Sequence, residues 1–245
     1  MSAPDLSLLS KRRFGPMFAV QFLGAFNDNL LKFAMLFLAN FGIFAAEPEK
    51  AELLAAVATG LFILPYFLFS AIAGQLADKY DKALIARRVK LVEIAAMLFG
   101  AASLWLDNPY LHLTVLFFAG SLAAFFGPIK YGILPQYLKQ DEVIAGNGMI
   151  EMGTFVTILL GTMFGGFLVI DPVGRSILSA ALVAFSLAAW YAAFQMPPAP
   201  AANPDLKMDW NLVRQTGKLL GYAQERRDVF WAVIGASWFW FLGTV

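Results

Sequence analysis

The sequence predicts an all-α, polytopic membrane protein, and three observations carry that prediction: an apolar composition, apolar runs of spanning length, and a one-sided distribution of cations. Hydrophobic residues make up 60% of the chain and charged residues only 14%, more apolar surface than one water-soluble core of this size can hide. A spanning helix needs roughly 20 apolar residues, and the segments 14–44, 53–77, 84–105, 111–138, 143–170, 174–196 and 229–245 reach or approach that length. Fourteen of the 18 Lys and Arg residues, in the clusters 11–13, 79–90, 139 and 207–227, fall on one side of these segments, against Lys50 and Arg175 on the other. The excess of cations marks the cytoplasmic side and places the N-terminus there. Lys32 and Lys130 lie inside spans.

Taken in order, the first run follows Lys11, Arg12 and Arg13 but is longer than a secretion signal and has no small-residue cleavage site, so it is a retained helix. The connections at 46–52, 78–83, 106–110, 139–142 and 171–173 are short, which makes successive helices antiparallel. Residues 197–228 are polar, with a Pro-rich start, and read as a cytoplasmic linker. The expected organisation is a six-helix unit over 1–196, the linker over 197–228, and the truncated start of a second half over 229–245.

Several function classes fall away. A net charge of +1 offers no basic field for nucleic acid. The absence of cysteine removes disulfides, thiolate nucleophiles and Cys-based metal sites. His112, the sole histidine, starts the fourth span with no acid at ligand spacing, and Phe117 occupies the position at which an H-x-x-x-x-D acyltransferase motif requires Asp. No catalytic residue, metal or cofactor is expected.

Polar residues inside spans are costly and therefore informative. The first span carries Gln21, Asn27, Asp28, Asn29 and Lys32, and Gln21, Gly24, Asp28 and Lys32 share one stripe. Asp28 reads either as half of an intrahelical pair with Lys32 or as a cavity-lining group for substrate or a coupling ion. Lys130 and Glu151 sit equally far from the turn between the fourth and fifth spans, at similar depth, with Lys130 also able to snorkel to the interface. Asn147, Glu151 and Thr154 form a polar stripe, whereas Gly153, Thr157, Gly161 and Gly165 form a small-residue face suited to close helix contact. Glu93, near Arg87, Arg88 and Lys90, reads as structural.

The run Gly74-Gln75-Leu76-Ala77-Asp78-Lys79-Tyr80-Asp81-Lys82 resembles the major facilitator signature G-x-L-[AS]-D-[RK]-x-[GD]-[RK]. In it Gly74 would allow close helix approach, Asp78 would receive backbone N–H groups at a helix N-terminus, and Lys79 and Lys82 would anchor the loop at the surface. Asp81 stands where Gly is usual. Gly161-Thr162-Met163-Phe164-Gly165-Gly166 resembles the superfamily's G-P-x-x-G-G with Thr162 in place of Pro, which favours a packing role over a hinge. The segments 21–29, 130–134 and 147–151 further resemble bacterial lysophospholipid transporters of that superfamily. The resemblance implies a major facilitator N-terminal six-helix bundle followed by a truncated seventh helix, in a multi-pass protein of the bacterial inner membrane. It further implies movement of a lysophospholipid substrate to the cytoplasmic leaflet by alternating access. The expected partners are membrane lipid, a second six-helix half and an acyltransferase, fused or separate. It carries over Asp28, Lys130 and Glu151 as pathway residues, with Gln21, Asn29 and Lys32 beside them. A facilitator of another amphiphile, or the membrane anchor of a larger enzyme, are the rival expectations.

Overall fold

The computed structural model describes residues 6–242, which fold into helices without a strand among them. A short 3-10 turn (Leu6–Ser10) leads into α1 (Gly15–Leu38), which ends in a π-helical turn, Ala39–Ile43. Next come α2 (Pro48–Lys79), α3 (Lys82–Ser103), α4 (Pro109–Tyr137), α5 (Val143–Val169) and α6 (Pro172–Gln195). The chain continues into α7 (Leu212–Glu225) and α8 (Arg227–Leu242). Helix starts follow from local chemistry. Proline occupies the first turn of α1, α2, α4 and α6, where its missing N–H costs nothing. Asp81, Asn108 and Asp171 cap α3, α4 and α6, accepting from the backbone N–H of Leu84, of Tyr110 and Leu111, and of Gly174.

Gly15–Ile43 and the helices α2, α4, α5 and α6 are long and apolar enough to cross a membrane, and the chain is a multi-pass membrane protein. α3 differs from expectation because Arg87, Arg88, Lys90 and Glu93 dilute its apolarity, although its 22 residues extend about 33 Å. The seventh expected span corresponds to α8, which begins at Arg227. Residues 243–245 of that expectation lie outside the described residues.

Two compact units result, one ending at Leu206 and one starting at Lys207. In the first, α1 packs on α5 and α6, α2 on α4, and α3 on α6 and α4. The small-residue face of α5 is the seat for α1. A Cβ on Gly161 would stand 2.6 Å from the Asn29 Cβ and 2.9 Å from the Leu30 nitrogen, and one on Gly165 would stand 2.6 Å from the Leu30 oxygen. Only glycine permits that approach, since the obstacle is backbone.

The first unit reaches Leu206 because the stretch after α6 is stitched back onto the bundle. Lys82 N–H donates to the Ala199 oxygen (2.9 Å), Asn203 N–H to the Asp78 oxygen (2.8 Å), and the Tyr137 hydroxyl to the Pro197 oxygen. Arg87 adds bonds to the Ala193 and Met196 oxygens. The second unit contains α7, capped by the Asn211 side chain, and α8 packed on it.

The core of the first unit is split in two. One apolar cluster holds Phe14, Met17, Val20, Ile133 and Met149, and the other Leu30, Leu31, Met97, Leu116 and Leu182. On α1 the interval between them is 21–29, which holds Gln21, Asn27, Asp28 and Asn29, and on α3 it is 90–96, which holds Lys90 and Glu93. A polar waist thus crosses the middle of the bundle.

Candidate functional site

At the waist each α1 side chain has a distinct neighbour. Buried Gln21 donates to the Thr154 hydroxyl of α5 (3.2 Å), so it serves the α1–α5 contact. Buried Asn27 donates to the Leu182 oxygen of α6 (2.8 Å), while its own Oδ1 has no partner among the described residues. Asn29 turns back to the Ala25 oxygen (2.8 Å) at the α5 contact. Asp28 is half-buried and makes no hydrogen bond to the protein among the described residues.

Lys32 lies within electrostatic reach of Asp28 but forms no ion pair with it. Its ammonium sits over the rings of Phe33 (4.7 Å) and of Phe62 on α2 (5.4 Å), a cation–π arrangement in place of the intrahelical pair that was one of the two readings of Asp28. The half-buried Lys130 lies over the Tyr131 ring (4.7 Å), and Glu151 accepts instead from the Tyr131 hydroxyl (2.5 Å). Lys130 and Glu151 act on one another electrostatically without contact. Tyr66 on α2 joins the two groups, within electrostatic reach of both Asp28 and Tyr131. α1, α2, α4 and α5 therefore contribute Asp28, Tyr66, Lys130, Tyr131 and Glu151 to one polar, partly accessible face of mixed charge.

Two features escape sequence reasoning. Tyr66 and Tyr131 lie in apolar runs where a single hydroxyl leaves no periodic signal. The other is the Lys90–Glu93 pair of α3, 2.5 Å apart with only 4% and 5% of the side chains exposed. The i, i+3 spacing was visible, but Lys90 counted among the loop cations and is instead buried at the waist.

The signature loop also departs from expectation. Asp81, in the usual glycine position, does the capping: its Oδ1 accepts from Leu84 N–H (3.0 Å) and its Oδ2 from Ala199 N–H (3.1 Å). Asp78 is exposed and participates through its carbonyl oxygen rather than its carboxylate. Lys82 does not sit at the surface; it is buried, with its chain against Gly132 and its ammonium near the Pro200 oxygen. Lys79 remains partly exposed over the Tyr80 ring. No heavy atom would lie within 4 Å of a Cβ on Gly74, so close helix approach there is not seen in this unit. His112 has a structural place, with Nε2 bonded to the Ser103 oxygen at 2.8 Å.

Comparison with known proteins accords with this architecture. Lysophospholipid transporter LplT of Escherichia coli strain SE11 is 32% identical over 229 residues, covering 91% of this chain and 53% of that protein. The protein of the same name from Escherichia coli O1:K1 / APEC is 33% identical over 232 residues, with the same shares covered. The chain thus spans about half the length of the curated relatives it matches. No solved structure matches. The profile described as Major Facilitator Superfamily matches residues 17–245, and the chain belongs to that superfamily.

Proposed function

We propose that the chain forms the N-terminal half of a transporter that carries lysophospholipid to the cytoplasmic leaflet of the bacterial inner membrane by alternating access. The observation that carries the reading is the identity to proteins named lysophospholipid transporters across 91% of this chain. The polar face fits such a cargo. A lysophospholipid headgroup bears phosphate and, in its zwitterionic forms, an ammonium; Lys130 offers a cation, and Asp28 and Glu151 offer carboxylates. Asp28 suits a ligand best, since its carboxylate is half-buried at mid-span and no group among the described residues hydrogen-bonds to it. The single acyl chain needs only the apolar helix surface. A second six-helix half supplies the opposing wall in this scheme, and an acyltransferase, fused or separate, consumes the delivered cargo. The cation excess orients the N-terminus and the 78–83 loop to the cytoplasm.

The test is transport of labelled lysophospholipid by the full-length protein in liposomes, compared with diacyl lipid and with protein-free vesicles. Uptake of lysolipid above both controls is expected. Uptake no faster than in protein-free vesicles would refute the assignment.

A further inference from the structure

The end of the bundle remote from the N-terminal segment carries a cavity of its own, about 390 Å³ in volume and lined by Leu38, Gly42, Ile43, Asp107 and Arg175. Its walls come from the π-helical turn after α1, the turn between α3 and α4, and the first turn of α6. Sites for small ligands span about 300–1,000 Å³, so the space suffices for one. Gly42 lies 14 residues beyond Asp28, about 20 Å along the helix. The cavity is therefore separate from the polar face at mid-bundle.

The charges in this cavity are only loosely satisfied. Of the five N–H donors of Arg175, Nε donates to the Val169 oxygen (3.2 Å) and Nη1 reaches Asp107 Oδ1 only at 3.5 Å. Nη2 has no hydrogen-bond partner among the described residues. The guanidinium lies over the Trp105 ring (5.6 Å), and the indole N–H donates to the Ser179 hydroxyl (3.1 Å), which fixes that ring. Only 16% of the Arg175 side chain is exposed, against 60% for Asp107. Asp107 also holds a φ of 44°, a left-handed backbone that no other non-glycine residue adopts among those described and that costs free energy even for Asp. An ion pair at the edge of contact, with one partner exposed, contributes little and does not account for that strain.

Depth and charge point to the ligand. Trp105 and Tyr110 are exposed on either side of Asp107, and Trp and Tyr at the ends of spans sit at the level of lipid headgroups. Of the two cations expected at this end, Lys50 is already paired with Glu47, which leaves Arg175 for a phosphate. A bare anion would be repelled by the Asp107 carboxylate. A headgroup bearing both phosphate and ammonium finds a partner for each charge.

We propose that this cavity binds the headgroup of a zwitterionic phospholipid from the adjoining leaflet, with Arg175 donating to the phosphodiester and Asp107 accepting from the ammonium. The planar guanidinium matches phosphate oxygens in pairs, and Leu38 and Ile43 give the cavity its apolar wall. The site does not depend on the identity of the transported cargo.

The test titrates the purified full-length protein in detergent with phosphatidylethanolamine, phosphatidylglycerol or water-soluble glycerophosphoethanolamine, reading bound ligand by native mass spectrometry and the rise in melting temperature. Phosphatidylethanolamine is expected to bind most tightly. Arg175→Gln should weaken it by roughly tenfold or more, as loss of a charge-assisted hydrogen bond does. Asp107→Asn keeps a residue suited to left-handed backbone and should remain folded by gel filtration while losing the preference for phosphatidylethanolamine over phosphatidylglycerol. Equal binding of the two lipids by the natural protein, or a preference that survives in folded Asp107→Asn, overturns the proposal. Glycerophosphoethanolamine bound as tightly as the lipid would overturn the lipid assignment in favour of a soluble phosphoester. Failure of lysolipid transport would leave these readouts unaffected.

Discussion

A carboxylate at mid-span costs a few kcal/mol, and the way it is held separates the two roles open to Asp28. A structural pair would bring Lys32 into contact, whereas Lys32 lies over aromatic rings and Asp28 has no hydrogen bond among the described residues. Asp28→Asn in the full-length protein is therefore expected to fold and to lose transport, and adding Lys32→Met should not restore it. Transport per folded molecule decides this, and rescue of both folding and transport in the double variant would favour the structural pair. Gly24→Ala acts on the layer behind. Its methyl would stand 2.2 Å from the Lys90 ammonium, which must shift, and a shift that parts Lys90 from Glu93 costs up to about 3 kcal/mol. Loss of stability in detergent denaturation, relieved by Lys90→Met/Glu93→Gln, is the expected outcome. The sequence made Asp28 legible because a lone acid in an apolar run stands out. It left the Lys90–Glu93 pair hidden, because the neighbouring cations Arg87 and Arg88 make Lys90 look like part of a loop cluster and spacing alone does not reveal depth.

At the scale of helices, glycines with identical sequence signals have different work. The four-residue recurrence of Gly153, Thr157, Gly161 and Gly165 revealed a face for close contact, and its partner, α1, emerged only from the fold, since periodicity describes one surface and not what covers it. Gly161→Ala and Gly165→Ala each place a methyl against α1 backbone that has no rotamer to yield. Each should destabilise the unit by about 1–3 kcal/mol, as overpacking does, measurable as a lower denaturation midpoint. Gly74→Ala meets nothing within 4 Å and should keep or raise stability by up to about 1 kcal/mol through helix propensity. Transport lost in stable Gly74→Ala would locate its role in another conformation. The helices themselves were legible because apolar runs of spanning length alternate with short connections, whereas the first-turn prolines and the caps Asp81, Asn108 and Asp171 took their meaning from the fold. α3 was the weakest composition signal, for the physical reason that part of its charge is used inside the bundle.

For the molecule as a whole, orientation and the tie at the N-terminal end belong together. The chain has no cysteine, so single cysteines at 80 and 140 against 45 and 107 report sidedness without background; the first pair should label only from the cytoplasm. At that same end Arg13 and Lys11 hold Glu142, at 2.6 and 3.2 Å, while Arg13 also donates to the Tyr137 oxygen at 2.9 Å. The Arg13 hydrogen bond, the Lys139 N–H and Lys11 hold the Glu142 carboxyl down from 4.5 to about 2. A depressed acid contributes its interaction fully above its ordinary value and loses it only as pH falls through the lowered one. The clamp between the N-terminal segment and the α4–α5 turn should therefore stay closed throughout the range from about pH 5 to pH 8. Trypsin cleavage at Lys11, Arg12 and Arg13 in inside-out vesicles, corrected for the enzyme's own pH dependence, is expected to be slow and constant over that range. Glu142→Gln removes the charge that draws both cations and should speed cleavage equally at every pH. Acceleration in the natural protein between pH 8 and pH 5 would mean that another group controls the clamp.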